Sequence, residues 1–411
     1  MRWYRVPAGR PRPTTRREHY DCLVVVDEEI PALPPTKPLR VLWVIKCLGY
    51  GGAERILVDM VAAVDRDRFA YEVAYVLRSQ DALVSAVRDG GTPVHALGAG
   101  HDGDLRWMLA LRRLLIRGTF DVVHFHLPYA AALGQLVVAS LPRTVRPRVV
   151  YTEHSLWDRN ARSLKVLIRS SMGSGQRLVT VSQASHDSLP PALRSRAQVV
   201  VHGVDLSRSG DLVAQRVAVR SSVRQEFGVG ESEILFVIVA NLRPEKGYDV
   251  LLEATSMLLD QGVPIRIVAA GTGPLSESLV QAHRDLGLGD HFQFLGQRSD
   301  AMRLLAGADA FVLPSRQEGL PVVLMEATSV GLPIVASDIG GVPQILTDGV
   351  DGLIVPPEDP VALAKAMSRL AVDPELRAEL GRRAKERSVM FDITGASRAI
   401  GDLYETIVRP R

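Results

Sequence analysis

From Leu39 onward the sequence alternates short, β-branched apolar runs with stretches of helical periodicity, and no other feature narrows the fold as much. The first series reads "LRVLWVI", "AERILVDMVAAV", "YEVAYVL", "DALVSAVRDGG" and "PVHAL". It continues through "LRWMLALRRLLIRG", "FDVVHFHL", "AAALGQLVVASL", "RVVYTEHS", "ARSLKVLIRSSM", "RLVTVS" and "QVVVHGVD". Strands that are apolar on both faces and separated by helices predict a parallel sheet covered by helices on both sides.

The rhythm pauses at 206–222 ("LSRSGDLVAQRVAVRSS"), which is polar and strand-free, and then resumes. The second series runs from "ILFVIVA" and "GYDVLLEATSMLLDQG" through "IRIVAAG", "FQFLG", "FVLPS" and "PIVAS" to "GLIVPP". The expected fold class is α/β, with two tandem, doubly wound, Rossmann-like domains at 39–205 and 223–387 and a cleft between them. Residues 206–222 read as a linker, and 388–411 as a C-terminal helix that crosses back to the first domain. A chain of 411 residues with 46% hydrophobic and 23% charged residues is long enough for two cores.

Residues 1–38 do not fit the rhythm. "MRWYRVPAGRPRPTTRR" holds six arginines and three prolines and no acid, and it lacks the apolar core of a secretory signal. It reads as a flexible basic arm that could rest on an anionic membrane surface. The net charge of +3 is otherwise near balance, so no nucleic acid or general polyanion partner follows. Cys22 and Cys47 are the only cysteines, too few for a disulfide framework or a cysteine-based zinc site, which fits a reducing compartment. No run approaches the roughly 18 apolar residues of a spanning helix. A cytoplasmic protein is expected, able to meet the inner face of a membrane only peripherally.

In open α/β sheets, ligands lie beyond the carboxyl ends of the strands. After the first strand comes "KCLGYGGAER", where Gly51 and Gly52 would let backbone N–H groups approach an anion at a helix start. A plain tight turn accounts for these glycines equally well. "NLRPEKGYD" opens the second domain's first helix with Arg243 and Lys246, cations where the helix dipole favours acids. A bound diphosphate would resolve that conflict, bridged by an arginine and met by a lysine point charge. In "PSRQEGLPVVLMEATSVGLPIVAS", Glu318 lies in the loop after a buried strand and Glu326 one to two turns into the next helix. Glu326 has apolar neighbours and therefore needs hydrogen-bond partners.

The Glu318/Glu326 pair, with seven residues between its members, together with "NLRPEKG", "YGGAER", "HGVD" and "FQFLG", resembles the retaining, nucleotide-sugar-dependent glycosyltransferases of the GT-B fold, family 4-like type. The likeness covers about 39–395. It implies that Glu318 touches the donor sugar, Glu326 accepts from the ribose hydroxyls, and Arg243 and Lys246 neutralise the diphosphate leaving group. It implies donor-binding places for Gly51, Gly52, Asn241, Gly319 and Leu320, and a catalytic place for His126. His124, His154 and Arg298 are further candidates to face the cleft, although a lone histidine at a strand end is as readily a satisfied polar residue.

Three departures stand out. Many relatives have arginine where this chain has Asn241, leaving Arg243 to substitute from a different angle. Many have glycine where Pro321 stands, and glutamate where Gln344 stands. No carboxylate is placed for double displacement. The resemblance therefore implies attack by the acceptor hydroxyl from the face that the leaving group vacates, with a phosphate oxygen taking the proton and no metal required. The expected function is retaining transfer of a hexose-type sugar from a nucleoside-diphosphate donor to a glycan or lipid-linked saccharide. A nucleotide-sugar epimerase of the same fold is disfavoured by the paired glutamates, and a non-catalytic membrane-surface scaffold by the retained phosphate cations.

Overall fold

The computed structural model describes residues 37–173 and 175–408. The basic arm lies outside them except for its last two residues. The first sheet is built from β1 (Leu39–Ile45), β2 (Phe69–Leu77), β3 (Val94–Ala99) and β4 (Val122–His126). It is completed by β5 (Arg148–Glu153), β6 (Arg177–Thr180) and β7 (Ala197–Val199), in the order β3-β2-β1-β4-β5-β6-β7. The second contains β8 (Ile234–Val239), β9 (Ile265–Ala270), β10 (Phe292–Gly296), β11 (Ala310–Leu313), β12 (Ile334–Ser337) and β13 (Leu353–Val355). Its order is β10-β9-β8-β11-β12-β13. Every recorded pairing is parallel, for example Trp43↔His124 and Ile234↔Ile265.

The apolar runs explain this arrangement. Val41, Leu42, Trp43, Val44 and Ile45 are buried on alternating faces of β1, so neither face could be left to water. Each sheet has one face covered by its own core cluster. The remaining faces share a single continuous cluster, in which Val41 and Trp43 of the first sheet join Leu235 and Phe311 of the second.

The stretch 206–222 is not loose. It forms the helices Leu206–Ala214 and Arg216–Glu226, the first capped by the Asp205 side chain accepting from Ser207 N. Arg220 and Arg224 both reach Asp309 at 2.7 Å, and Arg216 donates to the Val330 carbonyl, which fastens this segment to the second sheet's layers. The segment contains no strand and joins the two sheets' layers as a pair of helices.

The last helix, Ile393–Val408, lies on the first sheet's layers. The chain reaches it by pairing Val204 with the 391–393 segment, through Val204 N to Phe391 O and Ile393 N to Val204 O. Tyr404 then accepts from Trp43 Nε1 at 2.8 Å and bonds His124 Nδ1, while Arg68 pairs with Asp402 and Glu405. Both sheets reverse their strand order at the edge between a first strand and its outer neighbour, β1/β4 and β8/β11, and these switch points face one cleft.

Candidate active site

A cavity of about 610 Å³ opens between the carboxyl ends of the two sheets. Five basic side chains, Arg55, Arg208, Lys246, Arg298 and Arg303, line it against three carboxylates, Asp300, Glu318 and Glu326. Each of the five is ion-paired: Arg55 and Arg208 with Asp59, Lys246 with Glu318, and Arg298 and Arg303 with Asp300 and Glu226.

The second sheet supplies most of the polar groups. Beyond β8 the chain turns through Asn241, which lines the cavity, into the single turn Pro244–Lys246. Gly247 follows at φ +66, where a side chain would also run into the Pro314 carbonyl, so glycine alone permits this crossing of two loops. The crossing sets Lys246 Nζ 2.7 Å from Glu318 Oε1, which also accepts from Ser315 Oγ at 2.8 Å. Arg243 does not join them. Its side chain is exposed and outside the cavity lining, because it precedes the turn in extended conformation and points away while Asn241 takes the inward position. Of this turn's side chains, Asn241 and Lys246 line the cavity and Arg243 does not.

Glu326 sits in the helix Val322–Ser329, and among the described residues its carboxylate accepts no hydrogen bond. Burial pushes this carboxyl up to about 7; Arg55, across the cleft, pulls it down and Asp59 pushes it further up. A carboxylate with free lone pairs on a cavity wall is an acceptor for hydroxyl or N–H donors.

The first sheet contributes the opposing wall. Gly51 and Gly52 line the cavity at the start of the helix Gly52–Ala62, and a Cβ on Gly52 would stand 3.4 Å from Val322. At Gly51 a Cβ would run into the Glu54 carboxylate, itself bonded by Cys47 Sγ. Gly319 and Leu320 line the cavity from the second side, and a Cβ on Gly319 would collide with the backbone carbonyl of His154. The His154–Ser155 turn is held by the buried Glu153, which accepts from Ser155 N and Oγ and from Tyr151 Oη.

Of the histidines among the described residues, only His154 lines the cavity. His126 lies behind it, Nδ1 3.1 Å from His154 Nε2, and His124 is deeper still, bonded by Thr152 and Tyr404. His202 stacks on His154 at 5.3 Å, and both its ring nitrogens and His126 Nε2 lack partners among the described residues. Burial holds these imidazoles below the ordinary histidine value, His202 at about 4, so the row is neutral near pH 7. His124 and His126 thus form the wall's backing rather than its surface. Arg298 does line the cavity, but its guanidinium is tied to Asp300 at 2.8 Å and to Glu226 at 2.9 Å.

Two contributors escape a reading by motif. Arg55 stands inside "YGGAER" but is overshadowed by its glycines; its position one turn into a helix that starts at the cleft was the available signal. It pairs with Asp59 at 2.7 Å. Arg208, 3.7 Å from Asp59, comes from the helical connection between the two sheets. Gln344, where relatives carry glutamate, accepts from Gln183 N at 3.1 Å and so joins the two halves of the molecule with a neutral amide.

Comparison with known proteins agrees with this layout. The family model "Glycosyltransferase Family 4" matches residues 50–208 and "Glycosyl transferases group 1" matches 219–387, one on each sheet's layers. A D-inositol 3-phosphate glycosyltransferase of Saccharomonospora viridis is 33% identical over 230 residues, which is 53% of this chain and 51% of that protein. The match thus spans about half that relative's length. The enzyme of the same name from Actinosynnema mirum is 30% identical over 290 residues, 65% of this chain and 68% of that protein. Among solved structures, Anabaena HepE in complex with UDP-glucose superposes with a TM-score of 0.75 at 20% identity, covering 90% of this chain and 100% of that one. Two family models in tandem on two parallel sheets, with a relative matched over two thirds of its length, identify the chain as a member of the family 4-type glycosyltransferases of the GT-B fold.

Proposed function

We propose that the protein is a retaining hexosyltransferase that uses a uridine-diphosphate sugar and delivers the sugar to a glycan or lipid-linked saccharide. The observation that carries this reading is the Lys246–Glu318 pair at 2.7 Å, set in one cavity with the unbonded carboxylate of Glu326. The uridine choice draws on HepE, which binds UDP-glucose, and is a reading of this chain by likeness.

In this reading Glu326 accepts from the ribose hydroxyls, Lys246 lies on the diphosphate, and Glu318 bonds the sugar. Cleavage of the bond between the anomeric carbon and phosphate oxygen leaves positive charge on the sugar and negative charge on the diphosphate. Lys246 and the N–H groups of Gly51 and Gly52 meet the departing charge without reorganising. The acceptor hydroxyl enters from the face the diphosphate leaves, forms the new bond to the anomeric carbon, and passes its proton to a phosphate oxygen. The anomeric configuration is kept. Lys246 supplies the countercharge, so no metal has a necessary part.

The test is incubation of the full chain with UDP-hexoses, with and without saccharide acceptors, followed by mass spectrometry and NMR of the anomeric proton. Acceptor-dependent UDP release with an α-linked product from an α-linked donor is expected. Inverted product, or a changed sugar without any acceptor, would overturn the reading.

A further inference from the structure

The first-half wall of the cleft holds a guanidinium across from Glu326. Arg55 and Glu326 belong to neighbouring helices of the two halves, Gly52–Ala62 and Val322–Ser329. These helices start at a point of near contact, since a Cβ on Gly52 would stand 3.4 Å from Val322 Cγ2. From that point Arg55 lies about 4.5 Å along one helix and Glu326 about 6 Å along the other, by the rise per residue. Each side chain is thus one turn in, and both line the cavity.

The guanidinium is fixed from behind. Asp59, one turn further along, takes Arg55 Nε at 3.0 Å and Nη2 at 2.7 Å, and Arg208 stands 3.7 Å from the same carboxylate. Asp205, the other acid near Arg55, accepts from Ser207 N and Oγ. Among the described residues Arg55 Nη1 has no partner, and no ion pair joins Arg55 to Glu326. The guanidinium is nevertheless near enough to pull that carboxyl down. A planar fork held through two of its nitrogens keeps the third in place with little rotamer freedom left to lose.

The gap between the two groups selects a class of ligand. A carboxylate offers only acceptors and a guanidinium only donors, so a group lying between them must donate to one side and accept from the other. A phosphate there would be repelled by Glu326. A hydroxyl does both, and a vicinal diol does so twice. The N–H groups of Gly51 and Gly52, assigned above to the diphosphate, open the same helix one turn away, and ribose is the diol joined to that diphosphate.

We propose that Arg55 is the first half's share of the ribose site: its Nη1 donates to ribose hydroxyl oxygens whose hydrogens go to Glu326. The nucleotide is then held by both halves of the molecule, and Arg55 sets a preference for ribonucleotides over deoxyribonucleotides. The inference rests on the donor reading proposed above.

The test is calorimetric titration of the full chain with UDP, 2′-deoxy-UDP and 3′-deoxy-UDP above pH 7, where Glu326 is a carboxylate. Wild type should prefer UDP over both deoxy forms by about tenfold or more, the worth of a hydrogen bond to a charged group. Arg55→Met should weaken UDP by about tenfold or more and shrink that preference to roughly threefold. Arg55→Lys keeps the charge without the fork and should recover little. Arg55→Met combined with Asp59→Asn, which strands no carboxylate, should show the same loss of preference. In a Glu326→Gln background the Arg55 substitution should cost less than in wild type, because both groups hold the same hydroxyls. An undiminished preference for UDP over the deoxy forms in the Arg55 variants would overturn the inference, even with UDP itself weakened, and UDP binding by wild type would still uphold the donor reading. Absence of UDP binding by wild type would remove both.

Discussion

Glu326 is the residue whose chemistry the fold leaves open. Burial raises its carboxyl to about 7, above the ordinary value, so the folded chain holds that proton more tightly than the unfolded chain does. Stability contributed here is therefore lost as pH rises from the ordinary carboxylate range through about 7, and is constant above it. Glu326→Gln should remove the loss, making the variant more stable than wild type above pH 7 by about 2 kcal/mol in denaturant titrations. The same substitution should weaken UDP, and wild-type affinity for UDP should rise with pH through 7 if ribose hydroxyls are the missing donors. Calorimetry on either side of that pH reads both effects.

Lys246 is a different case. The pair with Glu318 is partly buried, but Glu318 keeps its bond from Ser315 Oγ, so Lys246→Ala should cost about 1–2 kcal/mol of stability. It should cost turnover on the order of 3 kcal/mol, a hundredfold or more, as one preorganised electrostatic group does. Glu318→Gln should leave UDP binding nearly intact and lower the rate with intact donor. Wild-type turnover in Lys246→Ala would remove the phosphate assignment. A chelator should leave turnover unchanged, since the countercharge is a side chain; a rate lost with EDTA and restored by Mg²⁺ would show otherwise.

At the scale of elements, the site depends on how closely two turns pass. The Gly319 turn follows β11 and meets the turn after β5 where a Cβ would strike the His154 carbonyl. Gly319→Ala must push these walls apart, at a typical overpacking cost of about 1–3 kcal/mol. It should lower the melting temperature and also weaken UDP-sugar binding, because Leu320 and Glu318 move with the turn. Unaltered binding with lowered stability would mean that the contact is structural only.

The whole molecule is closed by its last helix. Tyr404 lies among first-sheet residues more than 270 positions earlier in the chain, accepting from Trp43 and bonding His124. Tyr404→Phe leaves two buried polar groups without a partner and should destabilise the fold by about 1–3 kcal/mol, visible in urea unfolding of the full chain. If the helix merely rested on the surface, the change would be within experimental error. The alternation of strands and helices, the positions of Glu318, Glu326, Lys246, Gly51 and Gly52 and the family likeness were all legible along the chain. The reason is that apolar period, turn glycines and strand-end loops are local properties, and the switch-point rule converts them into a cleft. Which side chains reach that cleft was not legible. Arg243 and Asn241 differ by two positions, and only the extended conformation before Pro244 decides that asparagine faces in. Whether 206–222 links or packs depends on Asp309, 85 to 89 residues from its arginine partners. His126 lies behind His154 because β4 and β5 are neighbours in the sheet. Tertiary packing settled these points because each rests on contacts between residues far apart in sequence, which periodicity and spacing do not encode.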